Sequence, residues 1–158
     1  MLTKLRGRAL KKNLFFVVLA IIVSIGYPSI VTAEVSSEEF YKTSADLKQV
    51  LTENFDAYQK EEIFRVLPTV HTLSPAYKST KDIASKIFPA YDLNYELVSF
   101  KYLLTDDKYA IARVSQKTTK VSGPAFRNNL LDLIVIFKQE KGQWKLWSQI
   151  VLEIEFIN

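Results

Sequence analysis

The chain has 158 residues, with 21 Lys+Arg against 17 Asp+Glu, one His, four Gly and no Cys. Without cysteine there is no disulfide framework and no lipidated cysteine, so stability must come from a packed core. Four glycines leave little material for a phosphate loop or a dinucleotide fingerprint.

Residues 1–33 read as a secretory signal. Lys4, Arg6, Arg8, Lys11 and Lys12 form a basic start without acids, Leu14–Val23 is an unbroken apolar run, and Val31-Thr32-Ala33 offers the small residues that a signal peptidase reads. A spanning helix needs roughly 20 apolar residues, and Gly26 and Pro28 cut this run short. The expectation is export with cleavage after Ala33, no stable membrane anchor, and a single domain over residues 34–158. Five of the 21 bases and none of the 17 acids lie in residues 1–33, leaving 16 bases against 17 acids, a net charge of −1. The basic balance therefore belongs to the export signal, and nucleic acid is not an expected partner.

Ser36 and Glu39 have capping-box spacing and start a helix that is expected to run to about Gln59. Phe40, Leu47, Leu51, Phe55 and Tyr58 recur at helical spacing on one face of it. A second, short helix is expected over about Glu61–Val66, ended by Pro68. Thr69–Tyr77 reads as irregular, because Pro75 forbids a continuous helix. Ser79 or Thr80 then caps a third helix over about Lys81–Phe88, closed by Pro89.

The rest reads as strands. Tyr95–Leu104 and Tyr109–Val121 form a hairpin turned at Thr105–Lys108, and Ser122-Gly123-Pro124 breaks the chain after it. Asn129–Lys138 and Leu146–Phe156 form a second hairpin about Gln139–Gly142. If Gln139 opposes Gly142, Phe137 faces Trp144 and Leu131 faces Ile150 on an apolar core face. The other face then holds Leu130, Ile134, Ile136, Trp147 and Val151, with Asp132 opposite Gln149. Helices followed by an antiparallel meander give an α+β fold, with the helices on one face of a curved sheet.

The long helix ending Phe55-Asp56-Ala57-Tyr58, the short helix near Glu61, and above all Gly142-Gln143-Trp144-Lys145-Leu146-Trp147 resemble the nuclear transport factor 2-like (NTF2-like) superfamily over about Ser36 to Phe156. The resemblance implies a cone of helices against a strongly bent sheet. That scaffold hosts isomerases, dehydratases, cyclases, transport factors and non-catalytic modules. It usually carries a short strand pair between its helices, and Thr69–Lys78 gives no signal for one.

His71, the only histidine, is either a general base near a pocket mouth or a capping or surface residue. Asp132 interrupts an apolar strand. Relatives that are isomerases use strand carboxylates in catalysis, but the expected register turns Asp132 away from the core, opposite Gln149, where it makes either a structural hydrogen bond or an ion pair with a base such as Arg113. One His and no Cys exclude a zinc site of ordinary composition, so neither metal nor cofactor is expected. The aromatics read as core. Beyond that, Phe55, Tyr58, Trp144 and Ser148 are expected to line an apolar cavity between the first helix and the sheet, a site for an apolar small molecule. Leu130, Ile134, Trp147 and Val151 are expected to form a homodimer interface on the open sheet face. The expected function is an exported, non-enzymatic small-molecule-binding or protein-interaction module. The alternative is a small lyase or isomerase of the ketosteroid-isomerase or dehydratase type using a pocket carboxylate or His71.

Overall fold

The structure, a computed structural model, describes residues 36–106 and 108–157. The expected signal segment lies outside the described residues. Helix α1 (Ser37–Gln59) opens where the Ser36 hydroxyl accepts the Glu39 amide at 3.1 Å, satisfying one of the free N–H groups of the first turn. Leu47 and Leu51 are fully buried on its expected face and Phe55 nearly so, while Phe40 lies at the rim, 4.6 Å from the Tyr102 ring. Helix α2 (Ile63–Val66) is shorter than expected and runs into a 3₁₀ turn (Leu67–Thr69) that contains Pro68.

Helix α3 (Ala76–Ile87) begins one turn earlier than expected, directly after Pro75. Proline forbids a helix through it but suits the start of one, where its missing N–H has no partner to lose. The segment before α3 is not wholly irregular. Val70 forms a parallel bridge with Leu146, and the His71 amide donates to the Leu146 carbonyl at 2.9 Å. The resemblance implied a short strand pair in this part of the chain; among the described residues it holds this bridge.

Strands β1 (Asp92–Thr105), β2 (Tyr109–Ser122), β3 (Asn129–Glu140) and β4 (Gln143–Phe156) form an antiparallel meander in sequence order. The second hairpin turns on two residues, Lys141 (φ 52°) and Gly142 (φ 78°), the geometry whose twist matches paired strands. The expected register is therefore corrected. Glu140 opposes Gln143, Gln139 opposes Trp144, and Phe137 opposes Leu146 rather than Trp144. Two bulges then shift the ladder, first at Trp147 and again at Leu152, so that Ile134 meets Ile150, Leu133 meets Val151 and Asp132 meets Glu153. Similar irregularities interrupt β1 at Val98 and Leu103. Bulges bend and twist the strand that carries them. Most lie in the two edge strands, with one more at Val121 of β2, and together they bend the sheet.

The concave face holds the core. Ala110, Ala112 and Val114 of β2 and Leu133, Val135 and Phe137 of β3 alternate into it and join Leu47, Leu51 and Phe55 in one cluster. The helices stand on this face alone.

Candidate functional site

A cavity of about 320 Å³ opens between the second half of α1, helix α3 and the concave face. Helix α1 contributes Asn54, Phe55 and Tyr58; α3 contributes Ala76, Ser79, Thr80 and Ile83; the sheet contributes Tyr95, Gln116 and the run Leu146–Gln149. Three contacts set the distance between α3 and the sheet. The Ser74 hydroxyl donates to the Trp147 carbonyl at 2.6 Å and accepts the Ala76 amide at 2.9 Å, so one side chain ties the start of α3 to β4. The Val70–Leu146 bridge holds the segment just before it.

Aromatic rings close one end. Tyr95 lies 5.6 Å from Tyr58 and 6.4 Å from Phe55, centroid to centroid, and Phe88 stands edge-on to Tyr58 at 5.7 Å. Burial pushes the Tyr95 hydroxyl up to about 12, helped by Tyr58 and Glu61 nearby. Burial raises Tyr58 too, against a hydrogen bond from Thr80. Both phenols therefore stay neutral donors at physiological pH. They are the titratable groups among the described lining residues, and the other polar side-chain groups there are amides, hydroxyls and the Trp147 indole N–H. On α3, Ile83 faces this space and remains 53 % exposed, an apolar side chain that the protein itself does not cover.

Of the residues singled out in the sequence, Phe55, Tyr58 and Ser148 line this cavity. Trp144 does not. Next to the two-residue turn and opposite Gln139, it borders a separate open cleft between the outer side of α1, Phe64 and the hairpin tip. Tyr95, Gln116, Thr80 and Ile83 were not anticipated. Tyr95 and Gln116 sit on the core face of their strands by alternation, and only the curl of the sheet brings them under α3.

His71 is 5 % exposed and lies outside the cavity lining. Its Nδ1 accepts the Leu73 amide at 3.1 Å, and its ring stands edge-on to Trp147 at 5.0 Å. Glu140 Oε1 is 3.7 Å away and accepts both the Thr72 amide and the Thr72 hydroxyl, which hold its carboxyl below the usual range. These contacts fasten the segment before α3 to the hairpin.

Asp132 lies on the outer, convex face, where Arg113 clasps both carboxylate oxygens, with a shortest contact of 2.6 Å. The expected ion pair is present, although the residue opposite is Glu153 and not Gln149. Among the expected interface residues, Leu130 and Ile134 are on the outer face. Val151 is not, because the bulge at Trp147 turns it to the side of Leu133. Trp147 itself is engaged within the chain by Lys138, whose Nζ lies 4.0 Å from the ring centroid, and by Tyr109 and His71. Among the described residues, no three His, Asp or Glu side chains gather into a metal-binding group.

A long helix and two short ones seated in the hollow of a bent antiparallel meander form an α+β cone, the NTF2-like fold. Solved structures carry the same fold. One is a candidate aromatic ring hydroxylase from Novosphingobium aromaticivorans, with TM-score 0.62, 11 % identity, and 74 % of this chain and 94 % of that one covered. Another is a candidate dehydratase of the NTF2-like family from Streptomyces avermitilis, with TM-score 0.57, 14 % identity, and 69 % and 94 % covered. A third is a protein of unknown function with a cystatin-like fold from Nostoc punctiforme, with TM-score 0.58, 7 % identity, and 76 % and 93 % covered. At these identities the likeness is one of fold. The chain belongs to the family of the anti-sigma-I factor RsgI9 C-terminal domain, whose family model matches residues 49–157. No curated protein matches it.

Proposed function

We propose that the chain is an exported, non-catalytic binding module that takes an uncharged, largely apolar small molecule between α1, α3 and the sheet. The carrying observation is the chemistry of the cavity wall. Aromatic rings and Ile83 offer apolar surface, and neutral amides, hydroxyls and phenols offer hydrogen bonds. A charged ligand would lose its hydration there without gaining a counter-charge. The family's name, that of a domain of an anti-sigma factor, supports a regulatory role over a catalytic one. Export is supported by the basic start, the apolar run and the small residues at Val31-Thr32-Ala33. A lyase or isomerase would need a titratable group within reach of substrate. His71 and Asp132, the two candidates, stand outside the cavity lining, which ranks that reading second.

The test uses N-phenyl-1-naphthylamine, a neutral aromatic fluorophore. Its emission should rise on titration with the protein. Thr80→Trp and Ser148→Trp fill the cavity from opposite walls, and each should weaken binding by roughly tenfold or more, about 1.4 kcal/mol, with the circular dichroism spectrum unchanged. Absence of binding, or binding indifferent to both substitutions, overturns the reading.

A further inference from the structure

Strand β4 ends the meander, so the side of its backbone away from β3 has no neighbouring strand. At its start the chain itself fills part of that edge. Val70 bridges Leu146 in parallel, the His71 amide donates to the Leu146 carbonyl, and the Ser74 hydroxyl donates to the Trp147 carbonyl. The segment then turns away into α3. Residues 149–156 are all exposed, and among the described residues no strand or loop pairs with their outer edge. An unpaired strand edge is a template for another strand. The two faces of this stretch differ in character. Val151, Ile154 and Phe156 lie opposite Leu133, Leu131 and Asn129 on the concave side, where the helices leave each about half exposed. Glu153 and Glu155 lie opposite Asp132 and Leu130 on the convex side. Among the described residues neither forms an ion pair. Arg113 clasps Asp132, Lys117 lies toward Glu96, and the Arg127 guanidinium stands 3.6 Å from the centroid of the Phe156 ring. Lys138 and Lys145 sit at the other end of the hairpin, nearer its turn.

We propose that the outer edge of residues 149–156 takes an extended peptide of a partner protein, in which basic and apolar residues alternate, as an added strand of the sheet. The peptide continues the line that Val70 and His71 begin. Backbone hydrogen bonds to the free edge attach it, and side chains at alternate positions select it. A residue opposite Glu153 or Glu155 lies on the convex face beside a carboxylate without a base, which favours lysine or arginine there and opposes an acid. A residue opposite Ile154 or Phe156 lies on the concave face, where an apolar side chain covers surface that these two expose. The other free edge, that of β1, lacks this pattern. Its convex side bears Glu96 and Lys101, of opposite sign, and its concave side packs against α1, where Tyr102 meets Phe40. A second copy of the chain fits the β4 edge poorly, because its β4 would place acids beside acids on the same face. Within this stretch Gln149 alone belongs to the cavity lining, so the edge and the cavity are separate targets for substitution.

The probe is a fluorescein-labelled peptide of alternating lysine and valine, about eight residues long, within the usual length of a strand. Its fluorescence anisotropy should rise on titration with the purified protein. The same peptide with glutamate in place of lysine should bind roughly tenfold or more weakly. Protein carrying both Glu153→Lys and Glu155→Lys, at exposed positions, should reverse that preference. N-methylation of the peptide's backbone amides keeps its charge and removes the donors a strand needs, and it should abolish binding. Hydrogen exchange gives a readout that needs no variant: amides within residues 149–156 should exchange more slowly when the lysine peptide is bound. Absence of binding, equal binding of the two peptides, or binding that survives N-methylation overturns the proposal, the last as adsorption by charge alone. Binding lost in Thr80→Trp protein would put the peptide in the cavity, and protection of the same amides in the protein alone that fades on dilution would put a second copy on the edge; either result overturns it too.

Discussion

Thr69 works in two directions at a place where little water reaches. Its hydroxyl donates to the Val66 carbonyl at 2.7 Å and accepts the Asn54 side-chain amide at 2.8 Å, joining α1 to the 3₁₀ turn beside the cavity. Thr69→Val keeps the shape and leaves the Asn54 amide without its partner, so it should cost about 1–3 kcal/mol, read as a lower urea midpoint. Asn54→Ala made on top of it should cost less than it does in the wild type, since the two share one interaction. The Asp132 carboxylate carries a different kind of expectation. The Arg113 hydrogen bonds hold its carboxyl below the usual range. A carboxyl whose folded pKa is depressed contributes stability above its unfolded pKa, and that contribution fades as pH falls through the folded value. Thermal midpoints should therefore drop on acidification below about pH 4, and Asp132→Asn should make that drop shallower. An unchanged acid profile in the variant would show that the pair contributes nothing to stability.

Among the elements, the two hairpin-flanking glycines separate backbone strain from crowding. Gly142 has φ 78° with nothing within 4 Å of where a Cβ would sit, whereas a Cβ on Gly123 (φ 111°) would lie 2.5 Å from the Ala90 carbonyl oxygen. Gly142→Ala should cost about 1–2 kcal/mol from left-handed strain alone. Gly123→Ala should cost more, because the backbone at Ala90 must also move. Equal costs would show that crowding is relieved freely. The β3–β4 hairpin offers a second comparison. Phe137 is fully buried opposite Leu146, and Phe137→Ala should cost roughly 3–5 kcal/mol. Trp144, half-buried beside the turn and merely packed against the core, should cost clearly less on truncation to Ala. The reverse order of denaturation midpoints would favour the register in which Trp144 faces Phe137.

For the molecule as a whole, the charge division along the chain matters as much as its fold. A basic, acid-free stretch of 33 residues precedes a domain of net charge −1. Expressed with an intact export pathway, the protein is expected to leave the cytoplasm and begin at Glu34. Intact mass of the exported species checks this, and a full-length mass held in the membrane fraction would overturn it. The apolar cavity then belongs to a domain without cysteine, packed around one core cluster that joins α1 to all four strands.

Much of this organisation was legible because it is local. The capping serine of α1, the spacing of Leu47, Leu51 and Phe55, and the alternation along β3 depend on residues a turn or a strand apart, and they specify helices and strands wherever the chain puts them. The outward position of Asp132 followed from alternation alone, and Arg113 was one of the partners that position allowed. The register of β4 did not. It rests on whether the turn uses two residues or four, and on bulges at Trp147 and Leu152 that bend the edge strand. That preference belongs to the packed helix and sheet together rather than to either hairpin strand. Each bulge reverses which side chains face inward, so Val151 left the outer face and Trp147 turned to Lys138 and His71. The cavity wall shows the same limit: Phe55, Tyr58 and Ser148 could be named, but Tyr95 and Gln116 reach it only through sheet curvature, which sums small twists over four strands and is set by what the concave side has to enclose.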